Sequence, residues 1–224
     1  MKISVIIPVF NEKTTIESLL EQLEKIKNDC EIIFVDGGST DGTTEKIPES
    51  MKLVNSPKGR AEQMNEGARI SSGEVLFFLH CDSFIPEDAL NQIEDVMKSY
   101  RAGCFGISFI GAGFLMKCCG HLSNLRVKLW KIAFGDQGIF IERDLFFEIG
   151  GFPKLPLMED YQFSLNLREK KIDIGMTRDK IYTSDRRYAK GGVIRTMWRM
   201  HSLRRKYRKG EDIEKIAALY KDIR

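Results

Sequence analysis

The chain has 224 residues, 42% of them apolar and 30% charged, with a formal net charge of +3. That supports a real core and excludes wholesale disorder, and the length suits one α/β domain with a short appendage. Five cysteines without a framework spacing exclude a disulfide scaffold, and no CxxC or HxxxH completes a zinc site, so a reducing compartment is expected.

The opening "MKISVIIPVFNE" meets Pro8 and then charge too soon for a secretion signal. Lys2–Val9 reads as a buried strand, with Pro8 marking where it leaves the ladder. A helix follows, since Ile16, Leu19, Leu20, Leu23 and Ile26 keep helical spacing with charges between them. Glu31–Asp36 is a second buried strand, ending in the loop "GGSTDGT"; Lys52–Ser56 is a short third. A helix is expected over Arg60–Ile70 and a fourth strand over Glu74–His80. Pro86, with Glu87 and Asp88, announces the next helix, whose apolar stripe is Leu90, Ile93, Met97 and Tyr100.

Such β-α-β alternation predicts a mostly parallel sheet covered by helices. Right-handed crossovers then bring the strand ends, and so Asn11, Asp36 and Asp82, to one edge, where open α/β sheets bind ligands. The second half is less regular. Strands are expected at Gly103–Ile110 and Gly138–Glu142. Helices are expected near Leu115–Ile132, Arg143–Ile149, Glu159–Lys170, Val193–Arg208 and Asp212–Ile223. The longest uncharged stretch, Ala102–Met116, has fifteen residues and four glycines, whereas a membrane span requires about 20 mostly apolar residues. Gly191-Gly192 is the best boundary, dividing a 1–190 domain from a 191–224 basic helical appendage. From Arg186 to Lys209 there are ten Lys or Arg and no acid.

"SVIIPVFNE", "FVDGGSTDGT", the strand ending in Asp82 and "MEDYQF" resemble the GT-A fold, family 2 glycosyltransferases. "SPKGRAEQMNEGA", "FLHCD", "FGDQGIFI" and "TSDRRYAKGG" resemble a bacterial subgroup of small single-domain members, over roughly residues 2–190. The resemblance implies a three-layer α/β sandwich with a mostly parallel central sheet. It also implies an inverting, metal-assisted transfer of a sugar from a nucleoside diphosphate sugar, with UDP favoured, to an acceptor hydroxyl.

By that resemblance Asp36 accepts a hydrogen bond from the nucleotide base, while Pro8, Asn11 and Glu12 shape the pocket for base and ribose. The residues alone allow Asp36 to be a turn-forming carboxylate instead. Arg60, Gln63 and Asn65 match positions that approach the donor. Cations and amides at a helix start suit a diphosphate, and basic residues there are otherwise a poor match to the helix dipole. Asp82 stands for the last carboxylate of the family's Asp-x-Asp, the ligand of Mn²⁺ or Mg²⁺. His80 replaces the first acid, and binds ribose, binds metal or merely caps the strand. Cys81, inside the same donor motif, is expected to face the core.

The resemblance makes Asp160 the general base, with Glu159 its neighbour, although two acids also suit any first helical turn. It places Gln137 on the acceptor side of the sugar. Arg186 or Arg187 would contact the diphosphate, although "DRRY" departs from the Gln-x-x-Arg-Trp of processive relatives. The tail Val193–Lys209 is either a membrane-surface helix serving a lipid acceptor or a helix packed on the body. The expected location is cytoplasmic, peripheral to the inner membrane face in the first case. A basic stripe without a recognition motif argues against nucleic acid. The other readings weighed are a nucleotide-sugar-binding protein without turnover and a nicotinamide-dependent dehydrogenase. The latter is disfavoured because no GxGxxG follows the first strand.

Overall fold

A computed structural model describes residues 1–109, 113–183 and 192–221. Strand β1 (Ile3–Val9) lies inside the sheet because nearly every one of its side chains is apolar, and it is buried on both faces. Its neighbours β2 (Glu31–Asp36) and β4 (Val75–Phe78) run parallel to it, and β3 (Lys52–Asn55) runs parallel to β2. The registers Val9 with Asp36, Asp36 with Asn55 and Ile6 with Phe78 bring these strand ends to a common edge.

Helices α1 (Ile16–Glu24) and α3 (Ala89–Met97) cover one face, and α2 (Arg60–Ile70), α5 (Arg143–Glu148) and α6 (Glu159–Glu169) the other. Strand alternation divides the core accordingly. Val5, Ile7 and Phe77 join Leu19 and Ile93 on one side. Ile6, Val35 and Phe78 join Met64, Phe146 and Phe163 on the other. Gly67 of α2 is where helix meets sheet most closely, since a Cβ there would collide with Ile6 and Val35.

Among the described residues the sheet has eight strands, in the order β3-β2-β1-β4-β7-β6-β8-β5. Strand β7 (Ile139–Glu142) pairs antiparallel with both β4 and β6 (Ala102–Phe109), and β8 (Ile174–Thr183) pairs parallel with β6. Strand β8 is absent from the sequence expectation. Its centre, Arg178-Asp179-Lys180, is exposed and charged, so neither an apolar run nor a clean alternation marks it. Strand β5 (Ser83–Phe84) was likewise not expected; it pairs with Thr183 and Tyr182 of β8. Thus the segment His80-Cys81-Asp82 is anchored at both ends, by β4 before it and by the β5–β8 ladder after it.

Three more helices lie among the described residues: α4 (Phe114–Trp130), α7 (Val193–Arg208) and α8 (Ile213–Lys221). Leu203 and Ile216 of the last two are buried against Ile132, Met158 and Tyr161, so this stretch packs on the body. The opposite side of α7 leaves Ile194 and Trp198 exposed. Among the described residues no helix is long and apolar enough to cross a membrane.

Candidate active site

At the common strand edge lies a cavity of about 930 Å³. Its wall gathers residues distant in sequence: Pro8 near the end of β1 and Glu12 after it, Arg60 opening α2, His80 and Asp82 after β4, and Glu159 and Asp160 opening α6.

The turn Gly135–Gln137 ties these pieces together. The Gly135 N–H donates to Asp160 Oδ2 at 2.7 Å. A Cβ on Gly135 would lie 2.8 Å from His80 Nε2, so glycine lets the imidazole pack against the turn that holds Asp160. The Tyr161 N–H donates to the other oxygen, Asp160 Oδ1, at 2.6 Å, so two backbone amides fix this side chain on the cavity wall. Its neighbour Glu159 is only 5% exposed and stands 3.6 Å from the Arg60 guanidinium. Burial lifts the Glu159 carboxyl above its ordinary pKa, the Asp160 charge adds to the rise, and Arg60 opposes both. Burial also acts to lower Arg60, but Glu159, Tyr220, Asp160 and Asp82 outweigh it and hold the guanidinium above its ordinary value.

Several expected site residues have their polar groups engaged by the scaffold. Asp36 is buried and accepts from the Gly38 and Ser39 amides, both at 2.9 Å, and from the Ser39 hydroxyl at 2.5 Å. This is the turn-forming arrangement that the residues alone allowed, and Asp36 is not part of the cavity wall. Asn11 adopts φ 55 and accepts from the Thr40 amide at 2.9 Å, tying the loop after β1 to the turn after β2. Gln63 is buried and donates to the Val9 and Val35 carbonyls at 2.7 and 2.8 Å, so its amide bridges the ends of β1 and β2. The Asn65 amide is matched reciprocally to the backbone of Phe152, at 2.8 and 2.9 Å. Cys81 is in the core and touches the cavity wall.

Gln137 is fully buried, away from the cavity. Its Oε1 accepts from Arg126 at 2.6 Å, so it orients a guanidinium rather than a sugar. Arg126 itself was not singled out from the sequence, because one cation in a helix carries no signal of what it faces. Arg186 and Arg187 fall in 184–191, outside the described residues.

Among the described residues no group of three His, Cys, Asp or Glu side chains is placed to hold a metal ion. That suits Mn²⁺ or Mg²⁺ only in a form shared with a ligand, since such sites combine one or two carboxylates with substrate phosphates and water. Asp82 is one of the carboxylates on the cavity wall, and like Glu159 and Asp160 it acts electrostatically on Arg60.

The sequence model of glycosyl transferase family 2 matches residues 4–114, the span that supplies Pro8, Glu12, Arg60, His80 and Asp82. The chain belongs to this family. It is 28% identical over 186 residues to an uncharacterized glycosyltransferase of Haemophilus influenzae, covering 75% of this chain and 62% of that protein. It is 34% identical over 204 residues to the poly(ribitol-phosphate) beta-glucosyltransferase of Bacillus spizizenii, covering 81% of this chain and 32% of the relative. This family 2 chain thus spans less than two thirds of either relative. Its fold matches that of the mannosyltransferase PcManGT from Pyrobaculum calidifontis, crystallised with GDP-Man and Mn²⁺. The TM-score is 0.65 at 21% identity, over 90% of this chain and 60% of that one. The curled, mostly parallel sheet is therefore the GT-A architecture that the motifs implied.

Proposed function

We propose that this family 2 chain transfers a sugar, with inversion, from a nucleoside diphosphate sugar to an acceptor hydroxyl. The observation that carries the reading is the convergence of Asp82, Arg60, Glu159 and Asp160 on one cavity from three separate elements. UDP is the favoured base, as the sequence resemblance implies, and the GDP-Man complex of PcManGT makes a GDP donor the arm to test against it.

In this reading Pro8 and Glu12 line the nucleoside end, and Asp36 shapes the adjoining loop rather than reading the base. Arg60, paired to Glu159, presents its remaining donors to the diphosphate. Asp82, with His80 beside it, would hold the divalent cation jointly with the donor. When bound, that cation supplies charge neutralisation to the departing diphosphate. Asp160 takes the proton from the acceptor hydroxyl as its oxygen attacks the anomeric carbon, and the Gly135 amide fixes the carboxylate in place. Glu159 positions Arg60 and is not the base.

Calorimetric titration with UDP- and GDP-sugars, in Mn²⁺ and in chelator, tests the reading. Binding of one series that needs Mn²⁺ is the expected result. No binding of any such donor with the metal present would remove the proposal.

A further inference from the structure

Helix α4 turns an apolar side outward. Its inner side is already seated on β6, where Asn124 exchanges hydrogen bonds with the Ile107 backbone at 2.8 and 3.1 Å and Met116 and Val127 are buried. The outer side repeats Phe114, Cys118, Leu122, Leu125 and Leu129 at helical spacing, and all five are exposed. Leu122 is 56% and Leu129 60% exposed. Apolar residues scattered singly over a surface need no explanation, but a stripe along about four helical turns marks a docking surface. Lys117, His121 and Lys128 are also exposed, and their spacing from Phe114 sets them along one border of the stripe. At the other border Leu122 and Trp130 are both exposed and part of the cavity wall, so the stripe reaches the cavity rim.

Helix α7 adjoins α4 through Met197, whose Sδ lies 2.8 Å from Cys119 Sγ, and adds exposed Ile194 and Trp198. Together the two helices carry nine Lys or Arg and no Asp or Glu. That charge decides among the possible occupants. A second copy of this chain, seated on the stripe in a two-fold contact, would set the cations against themselves. An anionic bilayer takes both features at once, the apolar residues in the boundary between headgroups and acyl chains and the cations at the lipid phosphates. We propose that the outer face of α4, with Ile194 and Trp198 of α7, seats the chain on an anionic lipid bilayer. The cavity rim at Leu122 and Trp130 then faces the headgroups. The tail that the sequence offered for this role supplies much of the charge, whereas α4 supplies most of the apolar face. Docking of this kind is independent of the transferase chemistry proposed above.

Co-sedimentation with vesicles of mixed phosphatidylglycerol and phosphatidylcholine, against phosphatidylcholine alone, tests the proposal. Binding to the mixed vesicles is expected, weakened by raised salt and much poorer on the neutral ones. Leu125 and Leu129 are exposed and not part of the cavity wall, so their replacement leaves core and cavity intact. The double variant Leu125→Gln/Leu129→Gln should bind at least about tenfold more weakly, as expected for two leucines withheld from the lipid. Lys117→Gln/Lys128→Gln, which keeps every apolar residue, should lose roughly tenfold or more on the mixed vesicles. Trp130 and Trp198 are the two tryptophans of the chain, so in Trp198→Phe the emission of Trp130 should shift to the blue with mixed vesicles. No vesicle binding, equal binding to neutral vesicles, or binding unchanged in Leu125→Gln/Leu129→Gln overturns the proposal; the last result would assign adsorption to the basic tail alone. A dimer in analytical ultracentrifugation that the same double variant disperses would also overturn it, in favour of a contact between copies. Donor titration on the same samples separates the two levels, because a chain that binds vesicles but no donor removes the transferase reading and leaves the docking face standing.

Discussion

Replacing Asp160 with asparagine is expected to lower kcat by roughly 10²–10⁴-fold, the usual contribution of a positioned general base, with donor affinity changed little. The size follows from what the substitution keeps. Asparagine retains one oxygen able to accept the Gly135 amide, 2.7 Å from Asp160 Oδ2, so the tie to the turn survives. The basic oxygen is lost, and with it the acceptor for the Tyr161 amide, 2.6 Å from Asp160 Oδ1. Glu159 cannot take over, because it is 5% exposed and faces Arg60 at 3.6 Å. Release of nucleoside diphosphate, measured beside donor binding, separates the two effects. Turnover within a factor of two of wild type would show that another group takes the proton. If Glu159→Gln abolished turnover while Asp160→Asn did not, the roles of the two acids would be reversed.

The Asp82→Asn variant should fall nearly as far, by about 10²–10³-fold in turnover, if the cation supplies several kcal/mol at roughly tenfold per 1.36 kcal/mol. No three-ligand cage exists among the described residues, so the chain alone should hold Mn²⁺ weakly and the donor diphosphate should bring the rest of the coordination. The expected signature is a loss of Mn²⁺ dependence. The fold should be unaffected, because the segment stays anchored by β4 and by the pairing of Ser83 with Thr183. If His80 replaces an acid, as the sequence resemblance implies, the site carries less negative charge and depends more on Asp82. Mn²⁺-stimulated turnover that persists in the variant would place the cation elsewhere.

The first hundred residues were legible because their signals agree. Apolar runs end in Pro8, Asp36 and Asp82, and "SPKG" punctuates the start of α2, so the strands at Glu31–Asp36 and the helix at Arg60–Ile70 fall where the sequence puts them. Strand β8 was illegible because its pairing with β6 is long-range and its exposed charged centre breaks the pattern. The site divides in the same way. That Asp82 and Asp160 reach one cavity followed from strand ends and motif order, whereas the direction of each side chain did not. Gln63, Asn65 and Gln137 satisfy backbone groups or a buried guanidinium, a use for which their sequence spacing gives no sign. Arg126 and Arg204, which meet over the Phe134 ring, were hidden for the opposite reason, since only the packing of α4 and α7 makes them neighbours.

The stereochemistry of donor hydrolysis tests the central claim most directly, because water serves as acceptor and no natural acceptor need be known. Proton NMR, followed within minutes of mixing an α-linked nucleoside diphosphate sugar with the protein and Mn²⁺, reads the first anomer released before mutarotation. Inversion by Asp160-assisted attack predicts the β-anomer first, and its loss in Asp160→Asn. The α-anomer as first product, or a β-product formed equally well by the variant, would contradict it.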